Sequence, residues 1–220
     1  MDDKKRAARY WFAFLILAVL LVVLFIWNVN AGSIHLSVGE ILNIIFRHQG
    51  DDTAYNIIWE IRLPRILAVI ILGGALSVSG FLLQTFFNNP IAGPFVLGIS
   101  SGAKLVVALL MIFFLSRSIS MGSAAMIIAA FIGSMISMGF VLLVAKKVHN
   151  MSMLVISGVM IGYICSAVTD FVVTFADDSN IVNLHNWSLG SFSGMSWSNV
   201  RVMVAVVALT MIIVFFMSKP

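Results

Sequence analysis

The chain has 220 residues, 61% of them hydrophobic and only 10% charged, with a mean hydropathy of +1.08. Soluble domains carry about 25% charged residues, so this chain cannot coat a water-facing surface and belongs in a bilayer. Its formal charge of +4 comes from basic residues scattered along the chain or flanking apolar runs, which excludes a nucleic-acid patch; the single Cys165 excludes a disulfide framework and a thiolate metal site.

MDDKKRAARY opens the chain as a basic tail over 1–10, followed by WFAFLILAVLLVVLFIW. That run exceeds the apolar core of a signal peptide, about 7–15 residues, so it predicts an uncleaved membrane helix over 11–28. A long segment, 31–63, comes next. Within it SVGEILNIIF sets Ser37 and Glu40 at capping-box spacing, and Val38, Ile41, Leu42, Ile45 and Phe46 follow with helical periodicity. The pattern predicts a short amphipathic helix that lies on the outer interface, packs on the bundle, or does both. Five further apolar runs, 66–87, 95–115, 123–145, 153–175 and 200–217, each approach the ~20 residues that cross ~30 Å of hydrocarbon. The expected fold is therefore all-α and polytopic, with six transmembrane helices.

Lys and Arg set the expected orientation. Lys4, Lys5, Arg6 and Arg9 precede the first span, Lys146 and Lys147 follow the fourth, and Lys219 follows the sixth. All fall on one face, which the positive-inside rule makes cytoplasmic. The opposite face collects Glu40, Asp51, Asp52, Glu60, Asp177 and Asp178, with Arg47, Arg62, Arg65 and Arg117 among them. Small residues recur at four-residue spacing in three spans: Gly73 and Ser77, then Gly80; Ala129, Gly133 and Ser137; Gly158, Gly162 and Ser166. Such ladders let helix backbones approach closely in lipid.

Between the second and third spans stands NNPIAGPFVLGISSGAK, residues 88–104. Gly98, Ser100 and Gly102 form the G-x-S-x-G of a serine nucleophile elbow. That chemistry needs a neighbouring base and a preceding strand, yet His35, His48, His149 and His185 all lie outside the spans and the flanking chain is membrane helix. Asn88-Asn89-Pro90 and Gly93-Pro94 instead read as a double helix break. Irregular backbone at membrane depth survives only when buried in protein or facing a water-filled cavity, so the segment reads as a hinge beside a pathway.

RLPRILAVIILGGALSVSGFLLQTFFNNPIAGPFVLGISSGA, residues 62–103, resembles the signature region of permease subunits of bacterial iron–siderophore, haem and vitamin B12 ABC importers. LVISGVMIGYICSAVTDFVV resembles that family's fifth helix, and W-x-L-G-S-F-S-G-x-S-W at 187–197 its outer segment before the sixth. The resemblance implies one permease domain over 1–220 in the inner membrane, two such subunits forming a path, cytoplasmic ATPases, an extracytoplasmic binding protein and alternating access. It implies ten helices where this sequence has room for six, so the chain reads as an N-terminal portion. Carried over by position, Arg62 and Arg65 would receive glutamates of the binding protein, or anchor at lipid phosphate. Asn89 and Ile91 would form one part of a cytoplasmic gate, and Asn150, Met151 and Ser152 another.

Lys104 and Asp170 interrupt the third and fifth spans, and ionisable residues there are functional candidates. Helical rise puts Lys104 nearer mid-membrane and Asp170 nearer the outer end, which argues against a direct salt bridge. Ser100, Lys104 and Asp170 are the pathway-lining candidates, with a buried structural role the alternative for Lys104 and Asp170. The 13 methionines form no M-x-x-x-M face for copper, and Met151 and Met153 read as flexible packing. No G-x-x-x-x-G-K-[ST] for ATP occurs, and no cofactor is expected. The competing readings are an intramembrane serine hydrolase using Ser100 or Ser101, and a noncatalytic membrane scaffold.

Overall fold

The computed structural model describes residues 3–30, 37–47, 52–115, 122–148 and 150–217, among which helices, turns and bends occur and strands do not. The helices are α1 (Asp3–Asn30), α2 (Val38–Arg47), α3 (Asp52–Asn56), a π-helical segment (Ile57–Arg62), α4 (Leu63–Phe87), α5 (Ile99–Leu115), α6 (Ser123–Ala145), α7 (Met151–Val173), α8 (Asp178–Leu189) and α9 (Trp197–Met217). Five stretches are long and apolar enough to cross a membrane: Lys5–Asn30, Asp52–Phe87, Ser123–Ala145, Met151–Val173 and Trp197–Met217. The expected third span is shorter. Its helix α5 has 17 residues, about 25 Å at 1.5 Å per residue, because the turn carrying Pro94 and Gly98 delays the helix to Ile99. The chain forms two compact units, Met1–Gly74 with Phe192–Pro220, and Ala75–Ser191.

In the first unit, local chemistry starts α2 and one core cluster holds it. The Glu40 carboxylate accepts from the Ser37 amide at 2.7 Å and its hydroxyl at 2.8 Å, while the Glu40 amide donates to the Ser37 hydroxyl at 3.3 Å. This is the predicted capping box closed from both sides. Ile41 and Ile44 are buried with Val29 of α1, Ala54 of α3, Ile58 of the π segment, and Leu63 and Ile66 of α4.

The run Asp52–Phe87 is helical for 36 residues and passes straight through Pro64. An α-helix interior tolerates proline poorly, because its ring crowds the preceding turn and its nitrogen donates nothing. The π segment supplies a wider turn there. Leu63 donates its amide to the Ile58 carbonyl, five residues back. In that register the Trp59 carbonyl would await the amide of residue 64, and proline has none. The indole N–H of Trp197 donates to it instead at 2.8 Å, with the two tryptophan rings 5.3 Å apart. The first residue of α9 thereby replaces the missing proline amide.

In the second unit, α5 lies between α6 and α7 at backbone contact. A Cβ on Gly102 would sit 2.6 Å from the Gly133 carbonyl oxygen and 2.6 Å from the Ser137 Cβ; one on Gly158 would sit 2.8 Å from the Cα of Leu97. The order of contacts makes α6 antiparallel and α7 parallel to α5. Two of the three small-residue ladders are thus closed by the glycines of the G-x-S-x-G stretch. On α4, a Cβ at Gly73 or Gly80 would meet nothing within 4 Å.

Candidate functional site

The elbow after α4 is built by asparagine and glycine. Asn88 takes a left-handed φ of 47°, which asparagine tolerates better than most residues. Asn89 donates its amide to the Gln84 carbonyl at 3.0 Å, and its side-chain oxygen accepts the Ile91 amide at 3.0 Å. This Asx turn carries the chain past Pro90. Phe87, Ala92 and Leu97 are buried with Leu154 and Val155 of α7, and Val144, Ala145 and Val148 pack around them. The end of α4, the elbow, the end of α6 and the start of α7 therefore meet at one end of this unit.

That meeting brings the two expected gate elements together. Asn150 caps α7, its side-chain oxygen accepting the Ser152 amide at 2.9 Å, the same two-residue reach that Asn89 makes to Ile91. Ile91 is 72% exposed and Met151 43% exposed, so each asparagine turn presents a bare apolar side chain beside it. Lys146 and Lys147 are exposed in the same α6–α7 connection.

Among the described residues the serines here bond to one another and to backbone rather than to a histidine. The Ser101 hydroxyl accepts from the Ser166 hydroxyl at 3.3 Å, and Ser137 donates to the Gly98 carbonyl at 3.0 Å. Ser100 is exposed. Gly98 has φ 72° and follows a turn, and a Cβ there would lie 2.7 Å from the Gly158 carbonyl oxygen. Both glycines of the motif are thus demanded by helix contact. Of the histidines, His185 lies exposed on α8, while His35, His48 and His149 fall outside the described residues, as do Asp51, Arg117 and Lys219.

Lys104 and Asp170 come out level, against the expected offset. Lys104 stands one turn beyond Ser101 and Asp170 one turn beyond Ser166, on helices running the same way from the contact of those serines. Gly98, just before α5, lies against Gly158 and Gly162 in the middle of α7, so α5 begins partway along α7 and its second turn, with Lys104, comes level with the later turns of α7. Lys104 is half-buried and Asp170 exposed.

Arg62 and Arg65 flank Pro64 in the other unit, and both are engaged by backbone. The Arg62 Nη1 donates to the Val29 carbonyl, one of the carbonyls that the end of α1 leaves without a helical partner. The Arg65 Nη2 donates to the Ser193 carbonyl at 2.5 Å, and its Nε is buried without a partner. The R-L-P-R stretch and the F-S-G-x-S-W stretch, read separately in the sequence, are therefore one structural latch. Each guanidinium holds five N–H donors, so one bond to a carbonyl does not use up either fork.

Sequence reasoning missed two features here. The Trp197 indole bond had no local signal, since its acceptor lies far along the chain. Helix α8 had a weak one: Asp177 ahead of it, Asp178 in its first turn, and Leu184 and Trp187 three residues apart. Those two pack with Val107, Ala108 and Met111 of α5 and Ala129 of α6.

Residues 20–220 match the model of the FecCD transport family. The hemin transport system permease protein HmuU of Yersinia pestis is 32% identical over 198 residues, covering 90% of this chain and 58% of its own length. The vitamin B12 import system permease protein BtuC of Klebsiella pneumoniae is 34% identical over 203 residues, covering 92% and 57%. A solved structure described as an inward-facing metal-chelate type ABC transporter superposes with a TM-score of 0.72 at 24% identity, covering 89% of this chain and 58% of that one. That likeness establishes the shared helical fold. The chain spans little more than half the length of these relatives. Because the family match extends over residues 20–220, this multi-pass membrane chain belongs to the FecCD transport family.

Proposed function

We propose that the chain supplies membrane helices of a permease subunit in an ATP-driven importer of an iron chelate, haem or a corrinoid. The cargo class is supported by the hemin and vitamin B12 permeases among its relatives. Two permease subunits would enclose the path, with separate cytoplasmic ATPases and an extracytoplasmic binding protein, and the path would open by alternating access. The basic tail and the Lys146–Lys147 turn would face the cytoplasm.

The observation that carries the reading is the elbow: a broken, asparagine-capped backbone between membrane helices, with the start of α7 at the same end. Asn89, Ile91, Asn150, Met151 and Ser152 are the gate in this reading. Uncharged side chains suit that work, since they can meet a symmetry mate and part without stranding a charge in low dielectric. Asp170 is exposed on a helix that crosses the membrane, and a carboxylate there must face water or protein rather than acyl chains. It would line the path with Ser100 and Lys104. Arg62 and Arg65 would dock acidic side chains of the binding protein through the donors not held by Val29 and Ser193.

A cysteine at position 91 in a Cys165→Ser background tests the gate. Cross-linking between subunits of the assembled importer should abolish uptake of labelled haemin, cobalamin or ferric siderophore, and reduction should restore it. Uptake that persists in the fully cross-linked protein would remove Ile91 from the gate.

A further inference from the structure

Helix α2 carries more apolar surface than its core contact uses. Ile41 and Ile44 are buried against Val29, Ala54 and Ile58, and Ile45 packs beside them. Leu42 and Phe46, four residues apart, form a second stripe; they are 48% and 76% exposed. Beyond that stripe come Glu40, Asn43 and Arg47, all exposed. The surface of α2 thus passes from buried apolar, through bare apolar, to polar.

Its height along the membrane helix α1 gives the bare stripe a meaning. Val29, which meets Ile41 and Ile44, lies two residues after Trp27, and Trp27 is 69% exposed. Tryptophan at the end of an apolar membrane helix marks the water–lipid boundary. Below it, α1 is exposed apolar surface nearly throughout, from Phe12 to Ile26. Ile41 and Ile44 hold α2 at the height of that boundary, so Leu42 and Phe46 stand there too, and Arg47 follows Phe46 in the chain.

We propose that α2 is a lipid-binding element: Leu42 and Phe46 insert at the acyl boundary, and Arg47 pairs with lipid phosphate. An amphipathic helix lying in the interface does this with an apolar edge beside a cationic one. Lipid is favoured over a protein partner because the stripe is narrow, stands at the height of the exposed Trp27, and has a positive charge beside it at headgroup height. Ile41 and Ile44 hold the helix to the core, so the stripe is presented without folding on contact. The inference does not depend on which solute the family member carries.

Site-directed spin labels provide the test. Leu42→Cys, Asn43→Cys and Phe46→Cys are made in the full chain with Cys165→Ser, labelled, and reconstituted into vesicles of phosphatidylethanolamine and phosphatidylglycerol. All three positions are exposed, so the core cluster is untouched, and circular dichroism checks that helix content is kept. Labels at 42 and 46 should show an oxygen-to-nickel-chelate accessibility ratio severalfold above the label at 43, and should broaden with spin-labelled lipid. Equal ratios at all three sites would place the stripe in water and overturn the proposal. Labels shielded from both reagents, or unaffected by the labelled lipid, would show a protein partner or a second copy there and overturn it as well.

Discussion

The contact of α5 with α6 makes a quantitative prediction for Gly133→Ala. A Cβ at 133 would run into the Gly102 carbonyl oxygen, and would lie 2.8 Å from its carbon and 3.0 Å from the Ala103 Cα. All three atoms are helix backbone, so no side chain can turn away; the helices must separate. Overpacking of this kind costs about 1–3 kcal/mol. Separation also stretches the bond from Ser137 to the Gly98 carbonyl, one turn from Gly133 and buried, worth about another 1 kcal/mol. The expected loss is about 2–4 kcal/mol. Gly139 on the same helix is the control: a Cβ there meets nothing within 4 Å, and alanine should gain up to about 1 kcal/mol from helix propensity. Unfolding in mixed micelles titrated with dodecyl sulfate, followed by helical circular dichroism, compares the two directly. If Gly133→Ala falls within about 0.5 kcal/mol of Gly139→Ala, an ordinary surface difference, the backbone interlock is wrong.

The Pro64 latch and the α2 cap make two further predictions. Trp197→Phe keeps an aromatic ring against Trp59 but removes the indole donor, leaving the Trp59 carbonyl without the bond it accepts at 2.8 Å; the expected cost is about 1–3 kcal/mol. Hydrogen exchange should accelerate across Ile57–Arg62, and unchanged exchange there would refute the latch. At α2, the Ser37 amide and hydroxyl hold the Glu40 carboxyl below its ordinary value of 4.5. A carboxylate with a lowered folded pKa stabilises fully above its unfolded pKa, and the gain is lost as pH falls through the folded value. Amide protection in Val38–Arg47 should therefore stay flat down to about pH 4.5 and decline only below it, whereas Glu40→Gln should be weaker and flat with pH; a decline in the unmodified chain beginning above about pH 5 would contradict the cap.

What the sequence disclosed divides by the range of the interaction responsible. The capping box was legible because Ser37 and Glu40 are three residues apart and each satisfies the other. The end of α4 was legible because Asn88, Asn89 and Pro90 act on their own backbone, and α4 indeed ends at Phe87. The start of that helical run was not legible, for the opposite reason. The second span was expected from 66, where its apolar run begins, yet the helical run begins at Asp52. It continues through Pro64 because a tryptophan more than a hundred residues later supplies the donor that proline lacks. The level of Lys104 with Asp170 was likewise invisible, since it depends on where α5 begins and on which residues of α7 meet it. Arg62 and Arg65 were found by resemblance, but their carbonyl partners Val29 and Ser193 carry no local signal.

The G-x-S-x-G stretch shows how one pattern serves two different physical demands. In a hydrolase its glycines allow a sharp turn that lifts a serine toward substrate. Here the same spacing puts Gly98 and Gly102 one helical turn apart at the start of α5. The first meets Gly158 and Gly162 of α7, and the second meets Gly133 of α6. Ser137 then ties α6 back to the Gly98 carbonyl, and Ser101 and Ser166 join α5 to α7. The elbow residues Asn89–Leu97 lead directly into this junction, with Leu97 buried against Leu154 and Val155. Backbones in contact have no side-chain slack to absorb a shift, so the Leu97–Gly102 end of the elbow is held against α6 and α7. Ala92 and Leu97 also tie the elbow to Leu154 and Val155, about one turn past Asn150 and Met151. A gate divided between the elbow and the α7 cap would then move as one body, and the glycines would act as its couplings rather than its hinges.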